Sequence, residues 1–300
     1  MSVLPRDIVP TLNSASEKST PTATNLGAGL VTSTSIVPKS SRGQRVIGML
    51  LQLDVSITQT TATDWNASMV FAGLQIKKIE ETRLNVTGYK QLLNLFNILT
   101  RQNASNAVVW SDGSGSGSGS ATFKAFLPLQ YTTNPANPVM LLSFNGLGSV
   151  GATQGTVTST VTYYYAPADP TNMQDDLFRI VTAPATLNSN VDIDVSAWFP
   201  SGFIRDIFAD ITTDGNIEHQ SFTFGNTPVF ERYSAFELRA LTNAALASQS
   251  VDGLLQLRTI PTAYPLNAVS TNKPSLWMRF NAALAPTFYL LSKINVAPQA

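Results

Sequence analysis

The clearest order in the chain is alternation. Leu51, Leu53, Val55 and Ile57 alternate with Gln52, Asp54, Ser56 and Thr58, the period of two that turns one strand face to a core and the other to water. Val157, Ser159, Val161, Tyr163 and Tyr165 alternate with Thr156, Thr158, Thr160, Thr162 and Tyr164, and Ala166-Pro-Ala-Asp-Pro170 ends that strand. Apolar runs over Phe71–Ile79, Phe123–Leu129 and Val139–Phe144 predict further strands. Gly73 interrupts the first, and a turn with Asn134-Pro135 and Asn137-Pro138 separates the other two. In one place the period changes. Tyr89, Leu92, Leu93, Phe96 and Leu99 fall at helical spacing behind the capping segment Asn85-Val-Thr87, predicting a helix over about 88–101.

The second half repeats this plan. Ile207, Ala209 and Ile211 alternate with Phe208, Asp210 and Thr212, and Asp214-Gly215 reads as a hairpin-type turn. Tyr233, Phe236, Ala240 and Leu241 predict a helix over about 232–245. Leu276, Met278 and Phe280 predict one more strand, and Phe288, Leu290, Ile294 and Val296 the last. Leu53-Asp54-Val55 matches Ala209-Asp210-Ile211 at an offset of 156, Tyr89 matches Tyr233 at 144, and Thr156 matches Thr287 at 131. The steadily shrinking offset predicts the same elements in the same order, with shorter loops in the second copy.

Composition sharpens the β reading. Charged residues make up 13% of the chain, roughly half the usual ~25%. Thr, Ser, Asn and Gln supply the polarity instead, and β-branched Thr suits a half-wet pleated surface. Nineteen basic and 19 acidic residues give a formal net charge of +0. That balance argues against direct, sequence-specific nucleic-acid binding; the only basic bias is Lys39, Arg42 and Arg45. It also removes the self-repulsion that holds monomers apart. With 0 cysteines, disulfides, thiolate nucleophiles and Cys-ligated metals are excluded. The start, Met1-Ser-Val-Leu-Pro-Arg-Asp7, shows no apolar signal core, and no run approaches the ~18 apolar residues of a membrane span. The expectation is a soluble chain made in a cytoplasm without classical export.

Residues 1–40, rich in Ser, Thr, Asn and Pro, read as an extended N-terminal arm. The Ser-Gly run over 111–120 reads as a flexible stretch that cannot pack. The expected division is the arm, a first β domain over 41–168, a linker over 169–190 and a second β domain over 191–300. Antiparallel sheets must bury one face, which leaves sandwiches, jelly rolls and barrels. Immunoglobulin domains carry no such inserted helix, and a βαβ fold would need a helix after nearly every strand. The fold class predicted is all-β: two tandem eight-stranded jelly-roll β-sandwiches, each with one inserted helix.

This layout resembles the double jelly-roll major capsid proteins of tailless icosahedral viruses, above all bacteriophages with an internal membrane. The resemblance rests on the entry strand Arg42–Ile57 after a polar arm, the helices Tyr89–Arg101 and Tyr233–Ala245, the repeated order and a Ser-Gly loop in one half. It implies a homotrimer of pseudo-hexagonal outline that tiles an icosahedral shell over a membrane. The implied partners are neighbouring capsomers, a penton protein, membrane-associated minor proteins and lipid touched by the arm. The implied location is the virion, after synthesis in the host cytoplasm.

Candidates for other chemistry are few. His219, the only histidine, stands beside Glu218, and no nucleophile elbow, phosphate loop or zinc-binding helix motif accompanies it. The acidic pairs Glu80-Glu81, Asp175-Asp176 and Asp192-x-Asp194 could serve a glycosidase or, at Asp192 and Asp194, a Ca²⁺ ion. Tyr163-Tyr164-Tyr165, Trp198-Phe199 and Trp277 could form the sugar platform of a carbohydrate-binding or adhesive protein, or pack inside the core and subunit contacts. Spacing alone assigns no catalytic residue, no cofactor and no metal ligand, and the chain is expected not to be an enzyme.

Overall fold

The computed structural model describes residues 15–38, 44–100, 108–111, 115–133, 136–167, 174–199, 206–224, 227–246, 252–257 and 274–295. Residues 1–14 of the expected arm, Lys39, Arg42, Asn134-Pro135, the Ser-Gly residues 112–114, residues 168–173 of the expected linker and Val296 lie outside them. The chain divides into two compact units, a first that runs to Asp176 and takes the chain up again from Ile294, and a second, Leu177–Lys293.

In the first unit the chain forms β1 (Ala15–Lys18), β2 (Thr22–Asn25), β3 (Val31–Thr32), β4 (Gln44–Thr58), β5 (Asp64–Trp65), α1 (Ala67–Val70), β6 (Phe71–Lys78) and β7 (Glu81–Thr87). Next come α2 (Gly88–Thr100), β8 (Val108–Ser111), β9 (Gly115–Ser116), β10 (Gly119–Leu127), β11 (Tyr131–Thr132), β12 (Val139–Phe144) and β13 (Gln154–Pro167). One sheet runs β1-β13-β4-β10-β8, with β2 also on β13 and β11 on β4; the other runs β3-β12-β6-β7. Apart from the β6-β7 hairpin, the chain passes from one sheet to the other at β4 to β6, β7 to β10, β10 to β12 and β12 to β13, which is the winding of a jelly roll.

The alternation seen in the sequence is the core face of this sandwich. Leu51, Leu53, Val55 and Ile57 of β4 and Val157 and Val161 of β13 are buried. Phe71 and Phe123 meet across the two sheets at 6.4 Å. Each such side chain contributes roughly 1.5–3 kcal/mol of apolar burial. The register of β13 on β4 slips between Tyr164 and Tyr165, whose partners are Gly48 and Val46. The β-bulge changes the parity of β4, so Val46 and Met49 are both buried.

The second unit repeats the winding with less decoration. It holds β14 (Gln174–Thr182), β15 (Asp192–Asp194), β16 (Asp206–Asp210), β17 (Ile217–Phe224), β18 (Thr227–Ser234), α3 (Ala235–Leu246), β19 (Leu254–Leu257), β20 (Pro274–Phe280) and β21 (Thr287–Asn295). Its sheets run β14-β21-β16-β19 and β15-β20-β17-β18. Phe199, Ile207, Leu238, Met278, Phe280 and Phe288 are part of a single core between them. The sequence matches pair β4 with β16 and β13 with β21, whereas Tyr89 lies in α2 and its match Tyr233 near the end of β18, two positions before α3.

Four expectations change. The arm over 1–40 does not hold for residues 15–38: β1 and β2 pair with β13, β3 pairs with β12, and Ile36 bridges Met140. These segments are too short and polar to show a period, yet their backbone hydrogen bonds complete the sheets. The linker over 169–190 contains β14, and the division between units falls after Asp176. Asp214-Gly215 is a 3₁₀ turn (Asp214–Asn216) between strands of different sheets, not a hairpin turn. The Ser-Gly run does pack: Gly115 and Ser116 pair with Trp65 and Asp64. Trp65, itself buried, donates its indole N–H to the Gly117 carbonyl at 3.0 Å, and Gly117 takes a φ of 96° that only glycine adopts readily.

Candidate functional site

The acidic pairs are taken up structurally. Asp175 is fully buried, with Lys78 Nζ at 2.7 Å and Arg83 Nη2 at 4.0 Å. It also accepts from the Thr132 amide at 2.7 Å and the Thr132 hydroxyl at 2.9 Å. Asp176 accepts instead from the Gln130 amide at 2.7 Å. Asp175 is thus held by Lys78 and Thr132, and Asp176 by the Gln130 amide. Burial pulls the Lys78 ammonium below its usual range, and the opposing hydrogen bond and charge of Asp175 do not restore it. Tyr131, buried nearby, has its hydroxyl pushed well above its usual range by burial and then by the carboxylates of Asp176 and Asp175. Glu81 reaches out to Arg83 at 2.7 Å and is itself exposed.

Asp192 and Asp194 also part ways. Asp194 caps the 3₁₀ turn Val195–Trp198 by accepting from the Ser196 amide at 3.0 Å. Asp192 faces His219 Nε2 at 3.1 Å and Arg279 Nε at 3.9 Å. Glu218 stands 3.5 Å from His219 Nδ1 and 3.7 Å from Arg279 Nε. His219, which no catalytic motif accompanies in the sequence, is thus nearly buried between two carboxylates, and among the described residues neither ring nitrogen is turned to a hydroxyl nucleophile. Arginine already supplies the cation that the Ca²⁺ idea required. Among the described residues no group of three or more His, Cys, Asp or Glu side chains could hold a metal ion.

The aromatic candidates point inward or lie along the sheets. Tyr163 is buried and donates to the Ile36 carbonyl at 3.1 Å; Tyr165 is buried too. Tyr164, on the opposite face, meets Phe126 edge-on at 5.8 Å. Trp198 and Phe199 pack on Phe288 at 6.1 and 5.2 Å. Trp277 is half-buried and donates its indole N–H to Thr223 at 3.0 Å. These residues do not assemble a common platform within either unit.

The helices differ in a way their periodicity concealed. On α2, Leu92, Leu95, Phe96 and Ile98 are buried, and the Gln91 side chain accepts from the Thr87 amide at 2.8 Å at the helix entry. On α3, Leu238 and Thr242 face inward, whereas Phe236, one of the residues whose spacing predicts the helix, is 82% exposed. The start of α3 is fixed by a capping box that the sequence carried as Ser234-Ala-Phe-Glu237. The Ser234 amide and hydroxyl each donate to Glu237 at 2.8 Å. Those hydrogen bonds hold the exposed Glu237 carboxyl below its usual range.

Two successive sandwiches of jelly-roll winding, each with a helix inserted at the same step, define a double jelly roll. No protein-family model matches the chain, and no curated protein matches it. Its fold is that of solved double jelly-roll major capsid proteins. The major capsid protein of Sulfolobus Turreted Icosahedral Virus superposes with a TM-score of 0.66 at 11% identity, covering 94% of this chain and 96% of that one. VP54 of PBCV-1 gives 0.61 at 10% identity, over 95% and 94%. The major capsid protein P2 of bacteriophage PM2 gives 0.56 at 8% identity, over 95% and 99%. The expected fold class is therefore met along nearly the whole chain.

Proposed function

We propose that this chain is the major capsid subunit of a tailless icosahedral virus, and that its activity is assembly. The observation that carries this reading is the near end-to-end correspondence with major capsid proteins, 94% of this chain on 96% of a viral counterpart. Fold alone does not assign function, so chemistry must agree with it. The polar and aromatic candidates are engaged in holding the barrels together. Zero net charge lets copies approach closely without long-range repulsion.

Three chains of two barrels each supply six similar columns, so a homotrimer presents a pseudo-hexagonal outline that tiles a flat facet. The same reading places the chain in a virion after synthesis in the host cytoplasm, beside neighbouring capsomers, a penton protein and membrane-associated minor proteins, in a bacteriophage with an internal membrane. Lipid contact through the N-terminal arm does not extend to residues 15–38, which are strands or bridges of the first barrel. Size-exclusion chromatography with light scattering tests the core claim. The expected species has about three times the 32.2 kDa chain mass and a hexagonal outline in negative stain; a monomer at every concentration would refute it.

A further inference from the structure

With 0 cysteines the chain can form no disulfide, yet one buried pair has the makings of a different cross-link. Lys78, the last residue of β6, and Asp175, the second of β14, lie 97 positions apart. They bring an amine nitrogen to 2.7 Å from Oδ2 of a carboxyl group, with side chains 1% and 0% exposed. Thr132 of β11 completes the site and is buried as well. Its hydroxyl accepts from Lys78 Nζ and donates to Asp175 Oδ1 at 2.9 Å, and its amide donates to the same Oδ1 at 2.7 Å. The two carboxyl oxygens thus differ: Oδ1 faces two fixed donors, and Oδ2 faces the amine.

That asymmetry suits condensation of an amine with a carboxyl group. The reacting groups are held together by the fold, which makes the step unimolecular. Donors already stand at the oxygen on which charge develops, where they act most strongly in a dry site. A lysine attacks as the neutral amine; burial and the Arg83 charge both favour that form, against the pull of Asp175. The product also removes two buried charges and the desolvation cost they carry. Arg83 keeps Glu81 at 2.7 Å as its own partner.

We propose that Lys78 and Asp175 condense to an intramolecular amide that staples β6 to the start of β14. The newly folded chain holds the ion pair, and the amide accumulates from it. One ammonium proton passes along the 2.7 Å hydrogen bond to Oδ2. The neutral Nζ attacks Cγ, and the negative charge that develops on Oδ1 falls on the Thr132 amide and hydroxyl. A second proton passes from the nitrogen to Oδ2, the Cγ–Oδ2 bond breaks, and one water leaves. The former Oδ1 becomes the amide carbonyl and keeps both Thr132 hydrogen bonds. No co-reactant is consumed. The first unit, which runs to Asp176 before the chain crosses to the second, is thereby closed on itself by a covalent bond.

Intact-mass spectrometry of the full chain, followed through a long incubation at neutral pH, tests the staple. The expected product is lighter than the sequence by one water. A tryptic digest should then yield one branched peptide that joins the segment carrying Lys78 to the segment carrying Asp175. Lys78→Arg keeps a cation without a primary amine and is expected to hold its full mass. Asp175→Asn should form the same amide with loss of ammonia in place of water. A parent chain that keeps its full mass, with Lys78 and Asp175 in separate peptides, overturns the proposal. So does a loss of water that persists in Lys78→Arg, since imide formation at Asp214-Gly215 or Asp252-Gly253 releases the same water. Should Lys78→Arg fail to fold, the presence or absence of the branched peptide in the parent decides. Neither outcome touches the capsid reading, which rests on the fold as a whole.

Discussion

The buried Lys78–Asp175 pair offers the sharpest test of how the first barrel is held together. Both side chains are essentially inaccessible, 1% and 0% exposed, so neither charge can recover solvation if its partner is removed. Breaking such a pair from one side costs about 3–5 kcal/mol, whereas replacing both charges with apolar groups of similar size is often neutral or better. The two single changes should differ. Asp175→Leu strands the Lys78 ammonium and removes a second cation's partner, since Arg83 stands 4.0 Å away; it also leaves the Thr132 amide without its 2.7 Å acceptor. Lys78→Met leaves Asp175 with both Thr132 hydrogen bonds and with Arg83. Asp175→Leu should therefore fall at the top of the range and Lys78→Met below it. The double variant should recover most of the loss. For a unit of this size about 3–5 kcal/mol corresponds to a fall of roughly 6–20 °C in Tm. Thermal melts recorded by tryptophan fluorescence and by far-ultraviolet circular dichroism would measure it. Equal losses in the two single variants, or a double variant as unstable as their sum, would refute the reasoning. Either result would mean that the pair is not coupled as its geometry implies.

Other expectations are smaller in scale. Partial burial raises the Asp214 carboxyl, but hydrogen bonds from Arg239 and the Gly253 amide outweigh it and hold the group below its usual range. Its contribution is thus present above the ordinary carboxylate value and lost as the pH falls through the lowered native one. Asp214→Asn should cost about 1–2 kcal/mol at neutral pH, and its melting curve should merge with the parent's in acid; a constant gap would show that charge is not involved. Gly48→Ala would place a Cβ within 2.8 Å of Phe126 Cε2 and closer still to Cζ, an overpacking cost of about 1–3 kcal/mol that Phe126→Leu in the same chain should relieve. Trp65→Phe removes the donor to the Gly117 carbonyl and should cost about 1 kcal/mol, with faster amide hydrogen exchange over residues 115–120; unchanged exchange would show that the Ser-Gly segment does not depend on this tryptophan.

How legible an element is in the sequence depends on how many neighbours it has in the fold. Strands β4 and β13 lie inside a sheet and bury one face along their length, so Leu51 to Ile57 and Val157 to Tyr165 wrote the period of two plainly. The same central strands anchored the internal repeat, and that is why its offsets paired β4 with β16 and β13 with β21. Strands β1, β2, β3 and β14 behave differently. Their cohesion comes largely from backbone hydrogen bonds to a longer strand, which Ala15-Ser-Glu-Lys18 can make as well as any other segment, and so they passed for an arm and a linker. Asp175 was misleading for a related reason: two acids in a row signal solvent unless Lys78, 97 positions earlier, is known to be waiting in the fold.

Phe236 is the instructive exception. Its spacing with Tyr233 and Ala240 is as regular as that of any core residue, yet in the single chain it faces outward. Periodicity reports that a face is apolar and leaves open whether a core or another molecule will cover it. In α2 the apolar face is buried within the chain itself; in α3 an equivalent helix retains an apolar stripe of its own. Leu238 and Thr242 turn one face of α3 to the core of the second barrel, while Phe236, Ala240 and Ala244 leave another face apolar and exposed, so one regular spacing records two different environments.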